Sequence, residues 1–534
     1  MADPAPRLER LALIALLILA FVPRVRDIDR GFDRGFEGYQ GAFFAIAAVN
    51  YERLGVNASG GYPVLNIDLP ASSQDWFLYA NHSPLTPLLA WAGMKVMGPP
   101  GWSETWREGQ SPAKMEAPIR IPFLLLHMAG LLALWWVARV AFGKQVALLS
   151  LALVAALPVS ALYGTLVNYE TPSLPCALLA VGASGMYARE RKRRWLLLAG
   201  FAFLCACSFT FAPAFFLPFL VLGLLWNRRW PEAMALGVVG GLACLTPLLV
   251  HDHSARKALA QVGQAPASIW QRAEELLGPL FSGEVTVPHW LSLQVQHALA
   301  AQGPVLLLAA GCGAVLCFVR AVSKRRNERL RQFEWPQNPT PDVDLALPML
   351  AGGLLYLFAF YKHTAEEQWS FQLYLVPGVV LCAARCLHGI SLPLQRLRGG
   401  IAPLVLVAGT VMLLGLARFE GWRKKVRGPQ VPLPASIGLE LQQLLPVGAY
   451  GLHPSVLGLT PASTWYSWRS LYPVSDSHDP SIQILSDRLG LQDSPRFMLL
   501  PKQSSPALQE TLQALRSTLG TPTGASDNWE CWSL

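Results

Sequence analysis

The chain has 534 residues, of which 52% are hydrophobic and only 14% charged, with a formal net charge of +9 at pH 7. Soluble domains carry about 25% charged residues, so this composition excludes a protein that meets water over its whole surface. The positive charge falls in short loops between apolar runs, which is a membrane pattern. A nucleic-acid binder would gather it on one face, and no nucleic acid is expected as a partner.

Apolar runs able to cross a hydrocarbon core of about 30 Å recur along the chain. They lie at about 8–23, 119–140, 145–163, 173–188, 195–211, 213–227, 233–250, 303–320, 345–361, 369–387 and 401–417. The first follows Arg7 and Arg10, as in a signal peptide. No small-x-small cleavage site comes after it, only Pro23-Arg24-Val25-Arg26, so it reads as a retained span. With the N-terminus inside, the even loops are cytoplasmic. Lys144, the run Arg189 to Arg194, Arg228-Arg229, Lys324-Arg325-Arg326 and Arg396 to Arg398 make each of them basic. The outer loops are poorer in cations, as the positive-inside rule requires. Arg418, Arg423, Lys424, Lys425 and Arg427 run against it, next to a late span where charge counts least. The expected location is a multi-pass bacterial inner membrane, with the polar loops facing outward.

Two regions stand outside the membrane. The outer loop 24–118 is too long to be a plain connection. In it Phe43, Ile46, Ala47, Tyr51 and Leu54 share one helical face, which predicts a helix lying at the interface. A second helix is predicted over Thr86–Val96, after Pro84. In the tail, 419–534, strand-like runs (Ala449–Leu452, Phe497–Leu500) alternate with helical ones (Ile437–Leu445, Pro480–Leu489, Pro506–Leu519), the rhythm of a small α/β domain. The expected fold is therefore an all-α polytopic membrane bundle of about eleven spans over 1–418, with interfacial helices in the first outer loop and a soluble outer α/β domain over 419–534. No internal repeat, phosphate-binding glycine loop or disulfide framework is present. Eight of the nine cysteines lie in or beside apolar runs.

Three stretches could carry chemistry. In "RGFDRGFEGYQGAFF", Asp33 and Glu37 stand at the start of the first predicted outer helix, followed by Tyr39 and Gln40. A carboxylate near a helix N-terminus stays ionised and can take a proton from an attacking hydroxyl or amine. It could also hold a divalent cation with other oxygen ligands, the one cofactor the sequence suggests. The plainer reading is a helix-capping charge. In "YANHSPLTPLLAW", His82, after Asn81, could bond a phosphate or orient a carboxylate; the plainer reading is a turn that starts a helix. In "YKHTAEEQWSFQLYLVPG", Lys362 and His363 could bind a phosphate by charge-assisted bonds, with Glu366 and Glu367 beside them. Arg24 and Arg26 are cations on the outer side, where holding a phosphate would explain them. His251-Asp252-His253 has the spacing of a metal pair but no third ligand, and reads as a solvated turn.

The first-loop acid, "EGYQGAFFAIAAVNYERLG" and "NHSPL" together resemble the polyprenyl-phosphate-sugar-dependent transferases of the GT-C superfamily. The nearest types are the protein O-mannosyltransferases and the lipid A aminoarabinose transferases. The resemblance in layout covers the chain; that in local sequence covers mainly residues 30–92. It implies a catalytic acid in the first outer loop, a His/Lys-Pro-Pro-Leu-type motif after it, and a soluble outer domain at the C-terminus. The implied activity moves a sugar from a polyprenyl-phosphate carrier to a protein, lipid or glycan acceptor, with inversion. Two departures matter. The family's Asp-Glu pair is split here between Asp33 and Glu37, and its Pro-Pro is Ser83-Pro84, with His82 where some members have Lys. Glu37 is favoured as the base because it lies nearer the expected helix start at Gln40-Gly41. A transporter or flippase of lipid-linked glycans is the competing reading, but it would place ionisable residues inside the spans and show two similar halves. A non-catalytic membrane protein with a partner-binding tail would leave Glu37 and His82 without a task.

Overall fold

The structure, a computed structural model, describes residues 5–26, 28–32, 36–66, 76–102, 114–263, 269–283, 285–330, 345–365, 369–398, 409, 440–445, 450–454, 470–474, 496–502, 512–513, 516–517, 519, 521–526 and 529–533. The chain starts with α1 (Ala5–Val25) and then forms α2 (Phe36–Leu54) and α3 (Leu85–Met97) in the first outer segment. The bundle continues with α4 (Glu116–Phe142), α5 (Lys144–Ala156), α6 (Pro158–Tyr163), α7 (Glu170–Glu190), α8 (Arg193–Phe209), α9 (Leu217–Trp226) and α10 (Trp230–Gln261). Then come α11 (Ile269–Phe281), α12 (Val287–Gln302), α13 (Pro304–Leu330), α14 (Ala346–Ala359), α15 (Tyr361–Ala365) and α16 (Val376–Arg398).

Three described helices are long and apolar enough to cross a membrane: α4, α10 and the Pro304–Ser323 part of α13. Shorter apolar helices are α5, Ala212–Trp226, α14 and Val376–Ser391. Fewer full-length spans emerge than the hydropathy pattern predicts, and prolines account for part of the difference. Pro158 splits the expected span 145–163 at Leu157, because the residue before a proline is driven out of the helical region. A 3₁₀ turn, Ala212–Phe216, likewise leads into α9 around Pro213. The predicted last span, 401–417, lies outside the described residues apart from 409.

The main core is built from α4, α5, α7, α8, α14 and α16, with Val137, Leu151, Val181, Phe203, Tyr356 and Val380 among its buried residues. α7 is apolar nearly all round and buried nearly all round, as a central helix should be. α10 and α13 instead expose rows of large apolar residues, including Leu242, Leu245, Leu249, Val305 and Leu308, suited to acyl chains. α13 and α16 cross so closely at Gly313 that a Cβ there would overlap the carbonyl of Cys382. Close backbone approach at small residues is how membrane helices pack. Gly313→Leu is expected to destabilise the bundle by about 1–3 kcal/mol or more through overpacking, read as a lower midpoint of thermal unfolding in detergent.

The first outer segment folds differently from expectation. α2 is more enclosed by protein than a helix with one apolar face would be. Residues Ala42 to Tyr51 are almost all buried, and α2 is enclosed by α3, α4 and the turn that follows it. Its composition explains this, since "AFFAIAAV" is apolar on every side. α2 and α3 are clasped by Glu52, which accepts from Trp91 Nε1 at 2.9 Å and Lys95 Nζ at 2.6 Å. Asn50 Nδ2 donates to Val64 O (2.7 Å) and Asn66 O (2.8 Å), and fixes the bridge between Val64 and Leu78. α10, with 32 residues, is about 48 Å long, well beyond a 30 Å core. Its outer turns supply Ala255, Ala258, Leu259 and Val262, which pack on Tyr62, Val64, Leu78 and Ala80. His251-Asp252-His253 therefore lies inside this helix and not in a turn; Tyr62 Oη sits 3.0 Å from His251 Nδ1 and Asp252 pairs with Arg256.

α11 and α12 were not legible as elements in the sequence. The C-terminal segment holds β1 (Tyr450–Pro454), β2 (Ser470–Val474), β3 (Arg496–Pro501), β4 (Gly524–Ala525) and β5 (Trp529–Ser533). They form one mixed sheet in the order β2-β1-β3-β5-β4, with β1 parallel to β2 and β3, and β5 antiparallel to β3 and β4. Leu441 and Leu445 pack with Leu499, Trp529 and Cys531. The predicted strands at 449–452 and 497–500 match β1 and β3. The predicted helix 480–489 lies outside the described residues.

Candidate active site

The site is centred on the N-terminus of α7. After α6 the chain turns back through residues 164–169, and Asn168 Oδ1 accepts from the backbone N–H of Thr171 at 2.9 Å. This bond satisfies one of the free donors at the start of α7 and places Glu170 in its first turn. Glu170 is half-buried and packed about by protein. Burial pushes its carboxyl up to about 7, opposed only by a bond to its own backbone N–H. No Lys, Arg or His ion pair answers it among the described residues. A carboxyl raised by burial makes Glu170 a candidate functional group.

Aromatic rings build the wall beside it. The His82 ring stacks on Tyr169 at 4.0 Å between centroids and 23° between planes, with Tyr79 at 6.0 Å on the other side. Phe43 meets Tyr79 edge-on at 4.8 Å, and Phe44 meets Tyr169 edge-on at 5.1 Å. α2, the segment before α3, and α7 thus converge at Tyr169 and Glu170. Burial is the largest reason that the Tyr169 phenol is pushed well up, with Tyr79 and then Glu170 adding to it. Tyr356 of α14 and Tyr374, just before α16, lie within electrostatic reach of Glu170 from the other side. Asn168 is 1% exposed, and its Nδ2 has no partner.

Among the residues singled out by sequence, His82 is placed against Tyr169, the neighbour of Glu170. Glu37 lies in the first turn of α2, two turns before Phe44; the helix starts at Phe36, ahead of the expected Gln40-Gly41. Tyr39 is exposed and stacks on Phe43 at 6.4 Å, Gln40 is half-buried, and Asn81 is exposed. Asp33, Glu366 and Glu367 lie outside the described residues. Lys362 is half-buried on α15, and His363 follows it in that helix. α15 is held by α12, through Trp290 Nε1 to Thr364 Oγ1 (2.8 Å) and Gln294 Nε2 to Thr364 O (2.8 Å). α2 packs on α3 and α4, and α15 packs on α11, α12 and α14.

Arg24 departs from its expected role. It is 1% exposed and donates inward, to Ala20 O at 2.6 Å and Ser160 Oγ at 2.8 Å, with Ala155 O at 3.4 Å. Ala155 and Ala20 carry carbonyls near the ends of α5 and α1, where a cation is favoured. Arg24 therefore pins α1 to the α5–α6 break, and Arg26, exposed two residues on, is the cation left on the surface. Arg24→Gln is expected to cost about 1–3 kcal/mol by stranding these buried acceptors. It should leave the affinity for a polyprenyl phosphate unchanged in the folded fraction; a specific loss of affinity at normal stability would restore the phosphate-binding role.

Sequence reasoning passed over Glu170 because "NYETPS" looked like a short outer turn. The signal was an acid next to Asn and Tyr, just ahead of the expected span 173–188. For a divalent cation, no group of three or more His, Cys, Asp or Glu stands close enough among the described residues.

The fold is the GT-C one of its solved structural neighbours, and a family model matches part of the chain. A family model described as dolichyl-phosphate-mannose-protein mannosyltransferase matches residues 113–251, from just before α4 into α10, including Asn168 and Glu170 but not the first outer segment. The structure is similar to ArnT from Cupriavidus metallidurans bound to undecaprenyl phosphate, with TM-score 0.58, 14% identity, and coverage of 100% of this chain and 98% of that one. It is also similar to the archaeal oligosaccharyltransferase AglB from Archaeoglobus fulgidus in complex with an inhibitory peptide and a dolichol-phosphate, with TM-score 0.60, 11% identity, and coverage of 96% and 72%. The Archaeoglobus fulgidus oligosaccharyltransferase solved with Zn and sulfate matches with TM-score 0.56 and 11% identity, over 94% of this chain and 69% of that one. No curated protein matches by sequence.

Proposed function

We propose that the protein transfers a sugar from a polyprenyl-phosphate carrier to a protein, lipid or glycan acceptor at the extracytoplasmic face, with inversion. The observation that carries this reading is Glu170, a half-buried carboxyl in the first turn of α7 beside the stacked Tyr169 and His82 rings, inside the segment matched by the mannosyltransferase family model. Undecaprenyl phosphate in ArnT and dolichol-phosphate in AglB, on the same fold, support a lipid-linked donor.

In this reading the prenyl tail lies among the spans and the phosphate at the cleft mouth, where Lys362, His363, His82 and Arg26 supply donors. Glu37 takes the proton of the acceptor hydroxyl or amine, with Asp33 the alternative base. The acceptor attacks the anomeric carbon, the bond from that carbon to the phosphate oxygen breaks, and polyprenyl phosphate leaves with the electron pair. Glycosyl transfer passes through a cation-like sugar, and ionised Glu170 stabilises that charge in a site of low dielectric. Tyr39, Gln40, Asn81, Glu366 and Glu367 fall to the acceptor side. A donor anchored in lipid also needs no nucleotide-binding loop.

The test uses the full-length protein in detergent with polyprenyl-phosphate sugars labelled in the sugar. Label should leave the lipid fraction for an acceptor or, slowly, for water. Release of no lipid-linked sugar of any tested class, by protein that still binds undecaprenyl phosphate, would overturn the assignment and favour a carrier that moves lipid-linked glycans.

A further inference from the structure

α12 belongs to the connection between α10 and α13, two of the helices long and apolar enough to cross a membrane. When both cross, the residues between them stand on one side of the bilayer. With 16 residues α12 is about 24 Å long, short of a 30 Å core, so it adds no span. Its rotation about its own axis is fixed by what it holds. Trp290 stacks on Tyr361 at 5.2 Å between centroids and 17° between planes, and meets Phe358 edge-on at 5.9 Å. The bonds from Trp290 and Gln294 to Thr364 leave from the same face, and Gln372 Nε2 donates to Gln294 Oε1 at 3.1 Å.

The outward side of α12 is divided. Val287, Leu291, Val295 and Leu299 are exposed and recur every fourth residue, which sets them in one row. Ser292 and Gln296 are exposed in a second row with Pro288 and Ala300, about 100° further round the helix. Gln296 Nε2 lies 3.4 Å from Ser292 Oγ, and His289 is exposed beyond that row. A helix surrounded by water gains nothing from four large aliphatic side chains in line. A helix surrounded by hydrocarbon would strand the Ser292, Gln296 and His289 side chains without water. A helix lying along the boundary satisfies both rows. Past Gly303 the chain continues into Val305 and Leu308, exposed on the spanning helix α13.

We propose that α12 lies along the membrane surface, with its Val287–Leu299 row among the acyl chains just beneath the headgroups and its Ser292–Gln296 row in water. The occupant of the apolar row is the lipid of that leaflet. The bonds of the inner face then hold α15, which carries Lys362, at headgroup depth. That is the depth at which the proposed function needs a phosphate donor, but the placement of α12 does not rest on that function. The test uses the full-length protein with its exposed Cys312 replaced by Ser, in phosphatidylcholine nanodiscs. A maleimide fluorophore is attached in turn at Leu291→Cys, Val295→Cys, Ser292→Cys and Gln296→Cys, with the signal of the parent subtracted. Quenchers are iodide in the water and phosphatidylcholine bearing a nitroxide either near the glycerol or at the chain end. Fluorophores at 291 and 295 should be quenched most by the nitroxide near the glycerol and little by iodide. Those at 292 and 296 should show the reverse. Equal quenching of both rows by iodide would put α12 in water, and strongest quenching of both rows by the chain-end nitroxide would put it inside the hydrocarbon. No quenching at 291 and 295 by any of the three would mean that protein covers the row. Each of these results would overturn the proposal.

Discussion

Replacing Glu37 by Gln should lower sugar transfer from a polyprenyl-phosphate donor roughly 10²–10⁴-fold, the usual worth of a general base. The substitution keeps the shape of the side chain and its capacity to hydrogen-bond but removes the basic oxygen. Folding should be little affected, because a charge in the first turn of a helix contributes only about 0.3–1 kcal/mol. Binding of undecaprenyl phosphate should survive as well. Asp33→Asn is the paired measurement. A large loss in Asp33→Asn with near-normal Glu37→Gln would exchange the two roles. Normal rates in both would remove the first-loop acid from the chemistry and leave α2 as a buried helix with a capping charge.

Glu170→Gln should cost roughly 10²–10³-fold, the scale for losing one preorganised electrostatic partner of a transition state, and it carries a second readout. The wild-type carboxyl is pushed up to about 7, and its ionised form is the one that stabilises positive charge. Turnover should therefore rise with pH through about 7 in the wild type, and that rise should vanish in Glu170→Gln. Stability moves the other way. A buried carboxyl whose folded pKa lies above its unfolded value favours folding while protonated, and that contribution is lost as pH rises from the ordinary carboxylate range through about 7. Glu170→Gln should accordingly unfold at a higher temperature than wild type at pH 8 and match it at pH 5. A pH profile identical in the two proteins would place Glu170 outside the reaction.

Much of the architecture was legible because membrane burial is written in composition. The spans at 119–140, 233–250 and 303–320 correspond to α4, α10 and the first part of α13, since about 20 apolar residues must cross as a helix when no water is there to satisfy the backbone. The helix at Leu85–Met97 was legible from Pro84 and its apolar periodicity. α12 was not, because "VPHWLSLQVQHALAAQ" is neither apolar enough for a span nor cleanly amphipathic. Its buried face, Trp290 and Gln294, acquires meaning only from Thr364 and Gln372, some 70 residues or more away. α2 was seen as a helix but misjudged in depth. Periodicity shows which residues share a face, not how many neighbours enclose it.

The sequence by itself determined that this is a membrane protein and the approximate places of the spans at α4, α10 and α13. Tertiary structure alone decided the surroundings of each charge. Arg24 and Glu170 look alike in the sequence, each an ionisable residue at the edge of an apolar run. The fold turns Arg24 inward onto helix-end carbonyls and sets Glu170 beside aromatic rings with no ion-pair partner among the described residues. The physical reason is that an ionisable group's role depends on the solvent and partners left to it once the helices have packed, and those partners come from segments that a linear reading cannot bring together.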